Sequence, residues 1–204
     1  MHKVFRLFPL IILLICCQRN PLKVDVSGID LTLEIKRLDR DIFLVTPDNN
    51  QITVRELRKT YGSFFDSYNE NVIALGDPSD SMYPSYLNAF LTDTMRVLSR
   101  LKIDSVFSDL APMEKKLLDG FRHYKYYFPN KTIPQVYTII SGFNQSVVLT
   151  SDAIGISLDN YLGADCKFYA MLALPEYKRA NMHRDKIPTD VLYSWALSEF
   201  AFLV

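Results

Sequence analysis

Glycine is scarce in this chain, 7 of 204 residues, cysteine and histidine occur 3 times each, and tryptophan once. So little glycine leaves poor material for a phosphate-cradling loop, and no GxxxxGK[ST], GxGxxG or GxSxG stretch occurs. HExxH and CxxC are also missing, so His123 and His183 stand far apart without metal-ligand spacing, and no resident metal or other cofactor is expected. Net charge is absent as well, with 23 basic against 23 acidic residues, which removes the electrostatic handle for nucleic acid. No uninterrupted apolar run reaches the roughly 20 residues that a spanning helix needs, because Arg6 and Pro9 break the only candidate. Internal repeats, low-complexity segments and domain linkers are likewise lacking.

The chain opens with Lys3 and Arg6 followed by the apolar stretch Leu7 to Ile15, the layout of an export signal. Small residues of the A-x-A type do not follow. Instead Leu14-Ile15-Cys16-Cys17 resembles a bacterial lipobox, and Cys17 fits its register better than Cys16, which would place bulky Ile15 where a small side chain belongs. The expected division is therefore a signal peptide over 1–16, a lipidated tether over 17–28 and one globular domain over 29–204, with Cys17 carrying the lipid. Removal of the signal takes Lys3 and Arg6 with it and leaves 21 basic against 23 acidic residues, a formal charge of −2. Cys166 then has no partner for a disulfide, and free cysteine most often behaves as a small buried hydrophobe.

Composition, 49% hydrophobic and 23% charged, suits a globular core. Ile29, Leu31, Leu33 and Ile35 alternate with polar residues and predict a half-buried strand, which runs into the charged "RLDRDIF", expected to be a solvated strand end with local ion pairs. Thr53 to Glu56 form a capping box for a helix carrying Leu57, Tyr61, Phe64, Phe65, Tyr68 and Val72. Further helices are expected from Pro84 through Leu101 and from near Pro112 through Tyr124. Gln135 to Ser141 and Ser146 to Thr150, separated by a glycine-containing turn, read as a hairpin, and Ala153 to Asp159 as an edge strand. Asp190 is placed to cap a last helix whose Leu192, Trp195, Ala196 and Phe200 form an apolar stripe that must be buried. The sum is an α+β fold, mostly helical, with a small mixed or antiparallel sheet.

Asp152, Asp159 and Asp165 crowd around the last strand. An acid/base pair or cation site is one reading. The commoner role of aspartates at strand ends and turns is to accept hydrogen bonds from nearby backbone amides.

"IGISLDNYLGADCKFY", continued by "LPEYKRANMHRDKIPTDVLYSWALSEF", resembles the gliding-motility lipoprotein family GldB of the Bacteroidetes, and "RLDRDIF" is similar to that family's amino-terminal motif. The resemblance implies an outer-membrane lipoprotein of the motility and secretion machinery that acts through contacts with other envelope proteins, with no settled enzymatic activity. It also implies family members that continue past "FAFLV", where this chain stops without a helix cap, so a shortened chain is expected. Gln18-Arg19-Asn20 lacks the acidic residues of a surface-export signal, which favours the periplasmic face. The arrangement of helices, sheet and following helix is similar to zincin-like metallopeptidases, but "VLYSWALSEF" has no histidine, so a hydrolase would need residues outside this segment or the aspartate group.

Overall fold

A computed structural model describes residues 24–200. Cys16, Cys17, the signal run, most of the tether and the last four residues lie outside them. Four short strands, β1 (Ile35–Arg37), β2 (Gln135–Ile139), β3 (Val147–Leu149) and β4 (Ala153–Ser157), form one mixed sheet in the order β1-β2-β4-β3. The first three neighbours are parallel, and β3 joins antiparallel to β4. The α+β class with a small mixed sheet is thus established.

The expected hairpin between the β2 and β3 segments does not form, because β4 inserts between them. The true hairpin is β3–β4, closed by Thr150-Ser151-Asp152. There Thr150 N–H donates to the Ala153 carbonyl, and the Thr150 hydroxyl accepts from Ala153 N–H while reaching Asp152. β4 is consequently an interior strand and not an edge, buried at every position, as a strand covered on both faces should be. It ends at Ser157, and Leu158–Tyr161 turn as a 3-10 segment.

Alternation before β1 is right about burial and wrong about pairing. Leu31 and Leu33 pack against the core, yet only Ile35–Arg37 join the ladder. Extending the register backward would bring Leu33 opposite Pro134, which has no N–H to give.

The chain between β1 and β2 is helical: α1 (Leu38–Asp41), α2 (Asn50–Tyr61), α3 (Ser63–Ser67) continued by a wider turn over Tyr68–Val72, α4 (Tyr83–Thr92), α5 (Thr94–Val106) and α6 (Ala111–Tyr127). Two predicted helices are each broken in two. Gly62, at φ +58°, separates α2 from α3, and Asp93 leaves α4 in an extended conformation to cap α5 through Arg96 N–H at 3.0 Å. The capping-box expectation also moves, since α2 starts at Asn50 and Thr53 N–H already bonds the Asn49 carbonyl.

After β4 come α7 (Lys167–Met171), α8 (Glu176–Arg179) and α9 (Ile187–Glu199). α9 begins three residues before Asp190, with Pro188 in its first turn, so Asp190 is not the cap. Ala196 is exposed and Phe200 half-buried, whereas Trp195 is buried as expected.

Helices cover both faces of the sheet. On one, Ile35, Val136, Ile154 and Ile156 meet Ile103 of α5, Leu117 and Phe121 of α6, and Val191 and Trp195 of α9. On the other, Tyr137, Ile139 and Ala153 meet Leu57 and Tyr61 of α2, Phe64 and Phe65 of α3, and Leu87 of α4. Gly155 lies directly beneath a helix side chain: a Cβ there would stand 2.6 Å from the Phe64 ring. Gly155→Ala should therefore cost about 1–3 kcal/mol of stability through forced repacking, read as a lower urea midpoint. An unchanged midpoint would mean that Phe64 has room to retreat.

Candidate functional site

Polar groups gather at the carboxyl ends of the parallel strands, the region where α/β sheets commonly place their sites. "RLDRDIF" supplies the first group. Arg37 ends β1 and grips Asp39 in two-pronged fashion, Nε to Oδ1 at 2.8 Å and Nη2 to Oδ2 at 2.7 Å, while its Nη1 donates to the Phe107 carbonyl at 3.0 Å. The Thr138 hydroxyl of β2 donates to the same Asp39. Asp39 is only 1% exposed, so this is a buried ion pair and not the solvated strand end expected from the charge density. Neighbouring residues of the motif reach outward to other elements. Arg40 donates to Asp104 of α5 at 2.9 Å in a partly exposed pair, and Asp41 accepts from the Tyr61 hydroxyl of α2 at 2.6 Å. Burial first, and then the Asp41 carboxylate, push the Tyr61 phenol well above its ordinary pKa.

The second group surrounds Asp159, which is fully buried just past β4. Its Oδ2 accepts from Phe143 N–H at 2.7 Å and its Oδ1 from Ser141 N–H at 3.2 Å. Gly142 and Phe143 both hold positive φ, +75° and +67°, which turns successive amides toward one point and makes the loop after β2 a nest for the carboxylate. The Arg96 guanidinium lies against Gly142 so closely that a Cβ there would be 2.6 Å from it. Asn160 donates to the Ser141 hydroxyl and the Gln145 carbonyl, Tyr169 OH bridges Leu162 N–H and the Asp159 carbonyl, and Tyr68 OH donates to the Ile140 carbonyl. Asp159 thus performs the amide-accepting role expected of a strand-end aspartate.

Burial raises the Asp159 pKa, and the three nest amides oppose that rise without cancelling it. The sign follows: the folded chain takes up this proton before the unfolded chain does, so Asp159 by itself favours folding as pH falls through its folded pKa. Asp159→Asn keeps the size but turns an amide NH2 toward backbone N–H donors, and should cost about 1–3 kcal/mol. Equilibrium urea unfolding checks it, and a midpoint equal to that of the parent chain would argue against the nest.

The other sequence candidates are placed elsewhere. Asp152 is exposed in the β3–β4 turn, and Asp165 is exposed beside buried Cys166 at a cleft of about 490 Å³ that also touches Leu98, Leu101 and Lys102 of α5. His123 is on α6 with Nδ1 2.8 Å from the Asp119 carbonyl, and His183 sits in an isolated bridge with Leu162. Among the described residues no three His, Cys, Asp or Glu side chains gather in a metal-holding group, so the three aspartates do not form one. Thr138, Ser141, Tyr68 and Tyr169 escaped sequence reasoning. Each looks like an ordinary strand, loop or stripe residue, and only Gly142 inside "SGFNQ" signals a special loop.

Almost every polar atom of the two groups is satisfied from within the chain, so the arrangement fixes the strand ends to their helices. The family model described as gliding motility protein GldB matches residues 19–203, a span that contains both polar groups. No curated protein and no solved structure matches the chain. The protein belongs to the gliding motility protein GldB family.

Proposed function

We propose that this chain is a cell-envelope lipoprotein, anchored through Cys17 to the outer membrane and facing the periplasm, that serves motility and secretion machinery through contacts with other envelope proteins. The observation that carries the reading is the family match over residues 19–203, which starts two residues past a cysteine in lipobox register behind an export-type apolar run. Two features agree with it. No helix among the described residues is long and apolar enough to cross a membrane. The buried polar groups hold the fold together and leave its outer surfaces as the parts available to partners.

One acyl chain gives marginal membrane binding and two or more give stable anchoring, so a diacylglyceryl cysteine with an added amide-linked chain holds the protein on its membrane. Mass spectrometry of the mature amino terminus should find Cys17 first and carrying that mass. Cys17→Ser should move the protein out of the membrane fraction or leave an unprocessed precursor. An unmodified Cys17, or a mature chain starting elsewhere, overturns the anchoring.

A further inference from the structure

Three aromatic residues close α6 in the open: Tyr126 and Tyr127, each 49% exposed, and Phe128 just past the helix, at 37%. The corner they form is firmly built. Phe128 N–H bonds the Tyr124 carbonyl, the Lys125 ammonium donates to the Pro129 and Lys131 carbonyls at 2.7 and 2.6 Å, and the Phe128 ring leans on Phe200 at 5.1 Å. Tyr126 and Tyr127 meet edge to face, also at 5.1 Å. Positive charge accompanies the rings, since residues 120–151 include Arg122, Lys125 and Lys131 but no acidic residue. Lys131 is paired with Glu199 at 3.0 Å, whereas among the described residues neither Arg122 nor Lys125 meets a carboxylate. Arg122 stands one helical turn before Tyr126, on the same face of α6.

This corner lies at the end of the sheet where the chain comes in. The loop after Phe128 leads into Gln135, the first residue of β2, and β2 runs parallel to β1, whose Ile35 faces Val136. Residues 31–34 and 133–136 accordingly line one cleft of about 210 Å³, the incoming chain beside the loop that leaves the corner. Val24, the first described residue, follows Cys17 by seven residues, a reach of at most about 25 Å. A folded unit of this size is about 40 Å across. A lipid at Cys17 therefore keeps the amino ends of β1 and β2 near the bilayer, and the aromatic corner with them.

We propose that the corner of Tyr126, Tyr127 and Phe128 rests in the headgroup layer of the membrane that holds the anchor, with Arg122 and the remaining N–H of Lys125 against lipid phosphates. Tyrosine favours that layer because one end of its ring is apolar and the other wet, and basic side chains beside it lay their stems on acyl carbon and keep their charge at the phosphates. The Lys125 clasp orders the loop beforehand, so little conformational freedom is lost on contact. The inference rests on the anchoring through Cys17 proposed above and adds an orientation to it: the carboxyl ends of the parallel strands, with Asp39 and Asp159, face away from the bilayer.

The test uses the purified lipoprotein reconstituted in vesicles of phosphatidylethanolamine and phosphatidylglycerol. Trp195 is buried, so the emission added by Tyr127→Trp reports the corner, while Tyr86→Trp reports an equally exposed position, 50%, on α4 over the other face of the sheet. Lipids brominated near the headgroup end of their acyl chains should quench about half or more of the emission added by Tyr127→Trp and leave that of Tyr86→Trp unchanged. Tyr126→Trp replaces the first variant if that one misfolds. Flotation of the vesicles reads the anchor separately. A chain that floats with the added corner emission unquenched, or quenched no more than that of Tyr86→Trp, overturns the corner and leaves the anchor standing; a chain that does not float overturns both.

Discussion

Asp39→Ala is expected to destabilise the fold by about 3–5 kcal/mol, because it leaves the Arg37 guanidinium, 14% exposed, without its carboxylate in a site water hardly reaches. The same change orphans the Thr138 hydroxyl and loosens the link from β1 to Phe107 at the end of α5. A chemical-denaturation midpoint measures the loss. The instructive comparison is Arg37→Met with Asp39→Leu: exchanging both partners for apolar groups of similar size removes the buried charge altogether and should lose far less than the single change. If the single variant is as stable as the parent, or the pair is worse than the single, the ion pair is not what holds β1.

Trp195→Ala should lose a similar amount, about 3–5 kcal/mol, from the opposite side of the molecule. Trp195 is 6% exposed and belongs to the core that joins α9 to α6 and to the sheet, with Tyr124 edge-on at 6.5 Å. The cavity left by an indole cannot close, since Leu192 of α9 already presses on Gly120 of α6 with no room for closer approach. For a domain of this size the loss corresponds to a fall of roughly 10 °C or more in melting temperature. Trp195 is the sole tryptophan, so the parent chain should emit a blue-shifted, quencher-protected fluorescence. A water-like spectrum from a folded monomer would contradict this packing.

Burial patterns were easier to read from the sequence than pairing patterns. The alternation from Ile29 to Ile35, the stripe at Leu117 and Phe121 and the buried Trp195 all follow from side-chain periodicity, which senses which face meets the core. Pairing depends on what lies alongside, and periodicity is silent there. Gly142 drew attention as a hairpin turn, while the tighter Thr150-Ser151-Asp152 turn, rich in side chains that bond their own backbone, is the one that closes a hairpin. The two broken helices show a similar competition. Apolar spacing continues across Gly62 and Asp93, but a positive φ at one and a side-chain cap at the other interrupt the backbone while the buried face carries on. In the polar groups the acidic and basic residues stood out and their partners did not. Charge in "RLDRDIF" is visible in one dimension, whereas Thr138 meets Asp39 only once β1 and β2 lie side by side.

That last meeting has a kinetic side. Asp39 and Thr138 are 99 residues apart in the chain, and among the described residues β1 has no strand partner other than β2. The β3–β4 hairpin closes over a few residues, and β4 can add to β2 soon afterwards, but parallel pairing of β1 must close a loop that includes six helices. Loop-closure entropy and high contact order make such a step slow relative to local structure. For a chain that emerges amino terminus first, β1 and its buried ion pair wait until Val136 and its neighbours have appeared. During that interval Ile35 and Leu38 are uncovered, so the segment nearest the proposed anchor is the last to become native and the one most in need of protection from premature association.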